Sequence, residues 1–205
     1  MKKIILIGVV LLALTIVALK PENKDVKSKF IEKNATVLAF GDSLTYGVGS
    51  HNKAYPMYLQ ILIKRNVINV GIPGEISKDG LQRLPVFLRT YNPNLVILCH
   101  GGNDIIRGLS KDKLIKNLKQ MIHIIKKSGA QVLLVAVPNF NMFNFKTESL
   151  YKDLASEENI LYEGHILEKI ENDKTLKSDR IHPNTKGYEL MAKSFYQILK
   201  EHNII

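Results

Sequence analysis

The stretch ATVLAFGDSLTYG, residues 35–47, joins a run of mostly apolar residues to a run of turn-forming and polar ones. Its first part, ATVLAF (Ala35–Phe40), is typical of a short strand that is buried on both faces of a sheet. Gly41 and Asp42 favour a turn, so Ser43 is expected just beyond the carboxyl end of this strand. The stretch alone does not distinguish a turn serine from a nucleophile, so partner residues elsewhere must decide.

Three more apolar runs follow along the chain: VINV (Val67–Val70), LVILC (Leu95–Cys99) and QVLLVAV (Gln131–Val137). Apolar residues at helical spacing lie between them, and the same spacing predicts a final helix from about Thr185 to Lys200. Strands that alternate with helices pair in parallel through right-handed crossovers. We therefore predict the α/β class, with a parallel sheet sandwiched between helical layers. Such sheets bind ligands beyond the carboxyl ends of their strands.

Three loops carry groups that suit a serine nucleophile: GIPGEIS (Gly71–Ser77), HGGND (His100–Asp104) and SDRIHPN (Ser178–Asn184). A serine hydroxyl needs a base to take its proton, and the base needs a carboxylate to hold its tautomer. Asp179 and His182, three residues apart in one loop, supply both groups. Glycine N–H groups and an asparagine amide suit the negative charge that develops on an attacked carbonyl oxygen.

With these four blocks in order, the chain resembles the GDSL or SGNH hydrolases from about Ala35 to the C-terminal helix. The resemblance implies that Ser43 is the nucleophile, with Asp179 and His182 as acid and base. It also implies an oxyanion hole formed by the Ser43 N–H, Gly74 and Asn103. Gly71 lies close enough in sequence to supply that N–H instead of Gly74.

The stretch GLQRLPVFLRTYNPNLVILCHGGND (80–104) is similar to the branch of the family that contains bacterial arylesterases and acyl thioesterase and lysophospholipase enzymes. This branch has a flavodoxin-like sheet. Pro73 stands where the branch usually has serine, and His100 where it usually has leucine. His100 is interpreted either as a group touching the site or as a satisfied histidine at a strand end. Asp42 is interpreted as a structural hydrogen-bond partner beside the nucleophile.

The resemblance implies a serine esterase that acts on carboxylic esters or thioesters, such as arylesters, lysophospholipids or acyl thioesters, and needs no cofactor. The spacing of histidines and carboxylates predicts no metal site. Two alternatives stay open: a carbohydrate O-acetylesterase on the same fold, and a non-catalytic membrane-tethered binding module. The loop PNFNMFNF (Pro138–Phe145) follows the fourth predicted strand, and its Phe140 and Phe143 are candidates for the wall of an acyl pocket.

The first 20 residues have the layout of a signal peptide or an N-terminal membrane anchor, with Lys2 and Lys3 followed by the apolar stretch Ile4–Leu19. Residues 21–34 are polar and lysine-rich and are interpreted as a linker, with the hydrolase domain spanning 35–205. We therefore expect an exported protein, periplasmic or otherwise extracytoplasmic, that contacts a membrane surface if residues 4–19 stay attached.

Length, charge and cysteine content limit the number of domains, the possible partners and the possible cross-links. A chain of 205 residues is long enough for one domain with a sizeable core. The net charge is +10, but no recognition motif accompanies it, so nucleic acid is not expected as a partner. Cys99 is the one cysteine, which excludes an internal disulfide, and within its apolar run it reads as a buried hydrophobe.

Overall fold

The computed structural model describes residues 26, 28–140 and 147–205. The predicted signal or anchor segment, residues 1–20, lies outside them, as does most of residues 21–27. Among the described residues, no helix is both long and apolar enough to cross a membrane.

Five parallel strands form one sheet in the order β2-β1-β3-β4-β5, with these bounds: β1 Thr36–Gly41, β2 Asn66–Asn69, β3 Leu95–Cys99, β4 Gln131–Val135 and β5 Leu161–Glu163. This is the strand order of a flavodoxin-like sheet. Each predicted strand is present, with ends that shift by up to two residues. The fifth strand was not predicted, because three residues are too few to give a periodic signal.

Helices cover both faces of the sheet. Their bounds are α1 Ser43–Tyr46, α2 Tyr55–Ile63, α3 Ser77–Tyr91, α4 Gly102–Ile106, α5 Lys111–Lys127, α6 Ser149–Glu158, α7 Ile166–Glu171 and α8 Thr185–Glu201. On one face α2 packs against α8, and on the other α3 packs against α5, which also touches α6. The structure therefore confirms the predicted three-layer α/β/α sandwich.

The core is densest along β1 and β3, the two central strands. Every residue of β3 is fully buried, as are Val37, Leu38, Ala39 and Phe40 of β1. Burial of apolar side chains on both faces of these strands stabilises the fold, at about 25 cal/mol per Å² of apolar surface removed from water. The carboxyl ends of β1 and β3 are therefore fixed against each other, and the loops that follow them start from a rigid base.

The folded body begins before residue 35, where the predicted domain started. Ile31 is buried in the core, and its backbone N–H donates to the Ile204 carbonyl at 2.8 Å. The Ser28 hydroxyl donates to the His202 carbonyl at 2.6 Å. Ser28 and Ile31, which lie in the segment interpreted as a linker, therefore contact the end of the chain.

Candidate active site

The loops after β1, β2 and β3 meet at the carboxyl edge of the sheet. β2 and β3 lie on opposite sides of β1, so the chain changes direction across the sheet at this point. Open α/β sheets bind their ligands in the crevice that such a switch creates. Ser43, Gly74 and Asn103 lie in the segments that follow these three strands, and all three line one cavity.

Ser43 is the first residue of the short helix α1 rather than part of an irregular loop. Asp42 caps this helix by accepting a hydrogen bond from the Leu44 N–H at 3.1 Å. Gly47 ends it with φ at +100°, a conformation that favours glycine. Gly41 is needed as well, because a Cβ there would lie 2.1 Å from the Cys99 carbonyl oxygen. These residues turn the chain sharply and direct the Ser43 side chain into the cavity.

The loop before α8 brings the predicted acid and base to the same place. His182 Nε2 lies 3.0 Å from Ser43 Oγ, and His182 Nδ1 lies 2.8 Å from Asp179 Oδ2. Asp179 Oδ1 also accepts backbone hydrogen bonds from Ile181 at 2.7 Å and His182 at 2.8 Å. Asn184 caps α8 by accepting from the Lys186 and Gly187 N–H groups, and it fixes the end of this loop.

The three-residue spacing lets one carboxylate serve both the backbone and the imidazole. Burial alone would raise the pKa of Asp179, but the backbone N–H groups of His182 and Ile181, together with the His182 side chain, lower it. An ionised Asp179 can only accept, so His182 carries its proton on Nδ1 and leaves Nε2 to accept from the serine hydroxyl. Asp179, His182 and Ser43 thus form one continuous hydrogen-bonded line.

Gly74 and Asn103, the two predicted oxyanion donors besides Ser43, line the same cavity. Gly74 adopts φ +77°, and no partner for its N–H lies among the described residues. The Gly71 N–H already donates to Asn69 Oδ1 at 3.0 Å, so Gly74 rather than Gly71 has a free donor. The side-chain amide of Asn103 donates to Asp42 Oδ2 at 3.2 Å and to the Glu75 carbonyl at 3.0 Å.

Asp42 is confirmed as a structural partner of these groups. Its carboxyl group is buried and holds both the α1 backbone and the Asn103 amide. Burial raises the pKa of Asp42, although the nearby His100 ring and the Leu44 N–H act in the opposite direction. No histidine ring nitrogen bonds to it among the described residues, and the acid of the hydrogen-bonded line is Asp179.

A largely apolar cavity of about 360 Å³ adjoins Ser43, within the range of small-molecule sites. Phe140 lines it, as predicted, whereas Phe143 lies outside the described residues. Sequence reasoning missed Val48, Ile106 and Ile181, which also line it. Their closeness in sequence to Ser43, Asn103 and His182 was the available signal. Within the described ranges, no cluster of three His, Cys, Asp or Glu side chains is arranged to hold a metal ion.

The remaining site interpretations are settled by burial. His100 is fully buried and hydrogen-bonded, so it is the satisfied strand-end histidine and does not line the cavity. Cys99 is also fully buried, and burial raises the pKa of its thiol well above the ordinary value. The burial of both residues follows from the position of β3 in the centre of the sheet.

The fold and the site together define a hydrolase of the serine type on a parallel α/β sheet. Residues 39–190 match the sequence model of the GDSL-like lipase/acylhydrolase family. This match spans well over half of the chain, and the chain belongs to that family of ester-hydrolysing enzymes.

Individual relatives are similar over most of their length. The chain is 30% identical to the thioesterase 1/protease 1/lysophospholipase L1 of Escherichia coli strain K12, covering 77% of this chain and 79% of that protein. It is 30% identical to an arylesterase of Vibrio mimicus, covering 81% and 88%. Among solved structures, the psychrotrophic esterase EstA from Pseudoalteromonas sp., inhibited by monoethylphosphonate, superposes with a TM-score of 0.72 at 26% identity, covering 82% of this chain and 98% of that one.

Proposed function

We propose that this protein is a serine esterase that hydrolyses carboxylic esters and thioesters through an acyl-enzyme on Ser43. The observation that carries the proposal is the line of hydrogen bonds from Asp179 through His182 to Ser43, which ends at an apolar cavity. A serine in such a line is activated as a nucleophile, because the imidazole accepts its proton as the new bond forms.

In the first half of the reaction, Ser43 Oγ attacks the carbonyl carbon and its proton passes to His182 Nε2. The tetrahedral intermediate then expels the alcohol or thiol, which takes that proton from His182. In the second half, His182 removes a proton from water, the resulting hydroxide attacks the acyl-enzyme, and Ser43 recovers its proton as the carboxylic acid leaves. Asp179 stays ionised throughout and stabilises the imidazolium.

The oxyanion of each intermediate is stabilised by the N–H groups of Ser43 and Gly74 and by the Asn103 amide. In the free protein one hydrogen of that amide is donated to the Glu75 carbonyl. The oxyanion accepts from the same N–H while the Glu75 carbonyl keeps the amide oriented, and an anionic oxygen is the stronger acceptor of the two. The stabilisation therefore increases as charge develops, which is the requirement for catalysis rather than mere binding.

The apolar lining of the cavity supports an acyl chain as the group bound beside Ser43. The names of the relatives point in the same direction, since they act as a thioesterase and lysophospholipase in one case and as an arylesterase in the other. A panel of 4-nitrophenyl esters of increasing acyl length, acyl thioesters, lysophospholipids and acetylated xylan separates these substrates. Turnover restricted to the acetylated glycan would favour the carbohydrate O-acetylesterase.

The decisive variant is Ser43→Ala. The Ser43 hydroxyl bonds to His182 alone among the described residues, so its removal leaves the fold intact. Ester hydrolysis is expected to fall by at least about 10³-fold, and labelling by a fluorophosphonate probe is expected to disappear. Ser156→Ala, at an exposed position of α6, is the control and should retain both ester hydrolysis and labelling by the probe. Normal turnover by Ser43→Ala would refute the mechanism and exclude Ser43 as the nucleophile.

A further inference from the structure

A buried ionic cluster lies directly behind the amide donors of the site. Arg83 of α3 donates to both carboxylate oxygens of Glu75, each at 2.6 Å, and His100 Nε2 lies 3.0 Å from Glu75 Oε2. The guanidinium also sits 4.0 Å from the centre of the Phe40 ring. Three separate elements, namely the loop after β2, helix α3 and the end of β3, therefore converge on one carboxylate.

The surroundings of His100 fix its proton. Its Nδ1 accepts a hydrogen bond from the Gly101 N–H at 3.0 Å, which places the ring proton on Nε2 and makes Nε2 the donor to Glu75. Gly80 of α3 provides the space, because a Cβ at that position would lie 2.4 Å from His100 Nε2. The imidazole is thus fully buried and has a hydrogen-bond partner at each ring nitrogen.

This cluster connects to the site through the backbone of Glu75. The Glu75 carbonyl accepts from the Asn103 amide at 3.0 Å, and Gly74, which lines the cavity, is the preceding residue. Arg83 additionally donates to the Gly41 carbonyl at 3.1 Å, two residues before Ser43. A shift of the Glu75 side chain would therefore move two donors of the oxyanion hole together.

We propose that His100, with Arg83, is a positioning residue that holds the Gly74–Glu75 backbone and thereby the Asn103 amide in the geometry for oxyanion stabilisation. The proposal rests on the proposed function. It gives a role to the histidine at the end of β3, whose ring touches neither the nucleophile nor the cavity. Glu75 is ionised in this arrangement: burial would raise its pKa, but the His100 and Arg83 hydrogen bonds lower it.

The test compares two substitutions at position 100. His100→Leu fills the pocket without a donor, whereas the side-chain amide of His100→Gln reaches toward Glu75 and restores one. We expect His100→Leu to lower kcat by about tenfold to a hundredfold, as displaced catalytic groups do, with KM within about twofold of the original value because substrate binding is unaffected. His100→Gln is expected to recover most of kcat.

His123→Leu is the control on the far side of the molecule, where His123 Nε2 lies 3.3 Å from the Glu158 carboxylate. It should leave kcat and KM unchanged. Gly80→Ala provides an independent variant that displaces the ring without altering any charged group, and it should lower kcat in the same way. If His100→Leu fails to fold, Gly80→Ala and His100→Gln carry the test.

Unchanged kcat in His100→Leu or in Gly80→Ala would overturn the proposal. An equal kcat loss in His100→Leu and His100→Gln, at similar thermal stability, would also overturn it, because the hydrogen bond to Glu75 would then be irrelevant. If the proposed function itself were wrong, the result would be different: Ser43→Ala would stay active, whatever the effect of the substitutions at His100.

Discussion

Gly49 packs directly against Ser178, so the loop after the Ser43 helix touches the loop that carries His182. A Cβ atom on Gly49 would lie 2.0 Å from Ser178 Oγ and 2.9 Å from the Pro183 carbonyl oxygen. No side chain fits between the two loops at this point. The distance between the serine hydroxyl and the imidazole therefore depends on a glycine that takes no part in the chemistry.

Gly49→Ala is expected to separate the two loops. Since the Ser43–His182 hydrogen bond spans 3.0 Å, a displacement on the order of 1 Å should lower kcat/KM by about a hundredfold. Alanine at φ +83° also costs roughly 1–2 kcal/mol of backbone strain. Gly129→Ala is the matched control, because Gly129 has φ +89° and nothing within 4 Å of its added Cβ. Equal activity of the two variants would contradict the packing argument.

Asp179→Asn tests the tautomer of His182. The asparagine oxygen can still accept from the Ile181 and His182 N–H groups, but its amide then donates to Nδ1 and forces the ring proton onto Nε2. We expect kcat for ester hydrolysis at neutral pH to fall by about 10⁴-fold, as for other triads with this change. The loop itself should keep its conformation, and thermal unfolding should shift little.

Asp173→Asn is the control for this prediction. Asp173 Oδ1 accepts from the Thr175 N–H at 2.8 Å and from its hydroxyl at 2.7 Å, which is a similar turn at an exposed site. Its substitution should leave kcat unchanged. If Asp179→Asn retained activity within about fivefold, the carboxylate would not be setting the tautomer.

The fold was predictable where burial imposes a pattern. β3 and β4 begin where their apolar runs begin, because both faces of a central strand must be apolar. β5 gave no such signal, since Leu161–Glu163 is a short edge strand. Its Glu163 is buried and accepts from the backbone N–H groups of His165 and Ile166. The pattern of apolar residues in the sequence does not indicate such an arrangement.

The site was predictable to the extent that chemistry demands particular residue types. A serine nucleophile requires a base and an acid, and the structure places Ser43, His182 and Asp179 together. The pairing of Glu75 with His100 was not predictable, because the two residues are 25 positions apart and their contact depends on how α3 packs across the sheet. In the sequence alone, His100 could be interpreted either as touching the site or as a satisfied strand-end histidine, and nothing indicated Glu75 as its partner.

Ile106→Phe tests whether the apolar cavity receives the acyl chain. Ile106 is half-buried at the end of α4 and lines the cavity. A larger ring there should reduce kcat/KM for octanoyl esters by about tenfold relative to acetyl esters, since each excluded methylene forfeits about 0.8 kcal/mol of burial. Ile124→Phe, a half-buried position on α5, should leave the acyl-length profile unchanged. A parallel loss for all acyl lengths would argue against this cavity as the acyl site.

Glu171 makes the stability of the fold dependent on pH. Its side chain is fully buried, with Lys177 Nζ 2.7 Å from Oε2, and the lysine also donates to the Arg180 carbonyl beside Asp179. Burial raises the pKa of Glu171 from 4.5 to about 7, although the hydrogen bond and charge of Lys177 oppose the shift. The unfolded chain loses this proton near 4.5 and the folded protein near 7, so the free energy of unfolding falls as pH rises between these values.

Glu171→Gln removes this titration. At about 1.4 kcal/mol per pKa unit, the original protein should lose up to about 3 kcal/mol of unfolding free energy between pH 4.5 and 8 that the variant does not lose. Urea unfolding at both pH values measures this loss in each protein. Comparing the two losses, rather than the absolute free energies, removes any pH-independent cost of the substitution. Glu157→Gln, at an exposed position paired with Lys119, should lose as much unfolding free energy over this pH range as the original protein does. Identical pH dependence in Glu171→Gln and the original protein would show that folding does not shift the pKa of Glu171, because Lys177 then offsets the effect of burial.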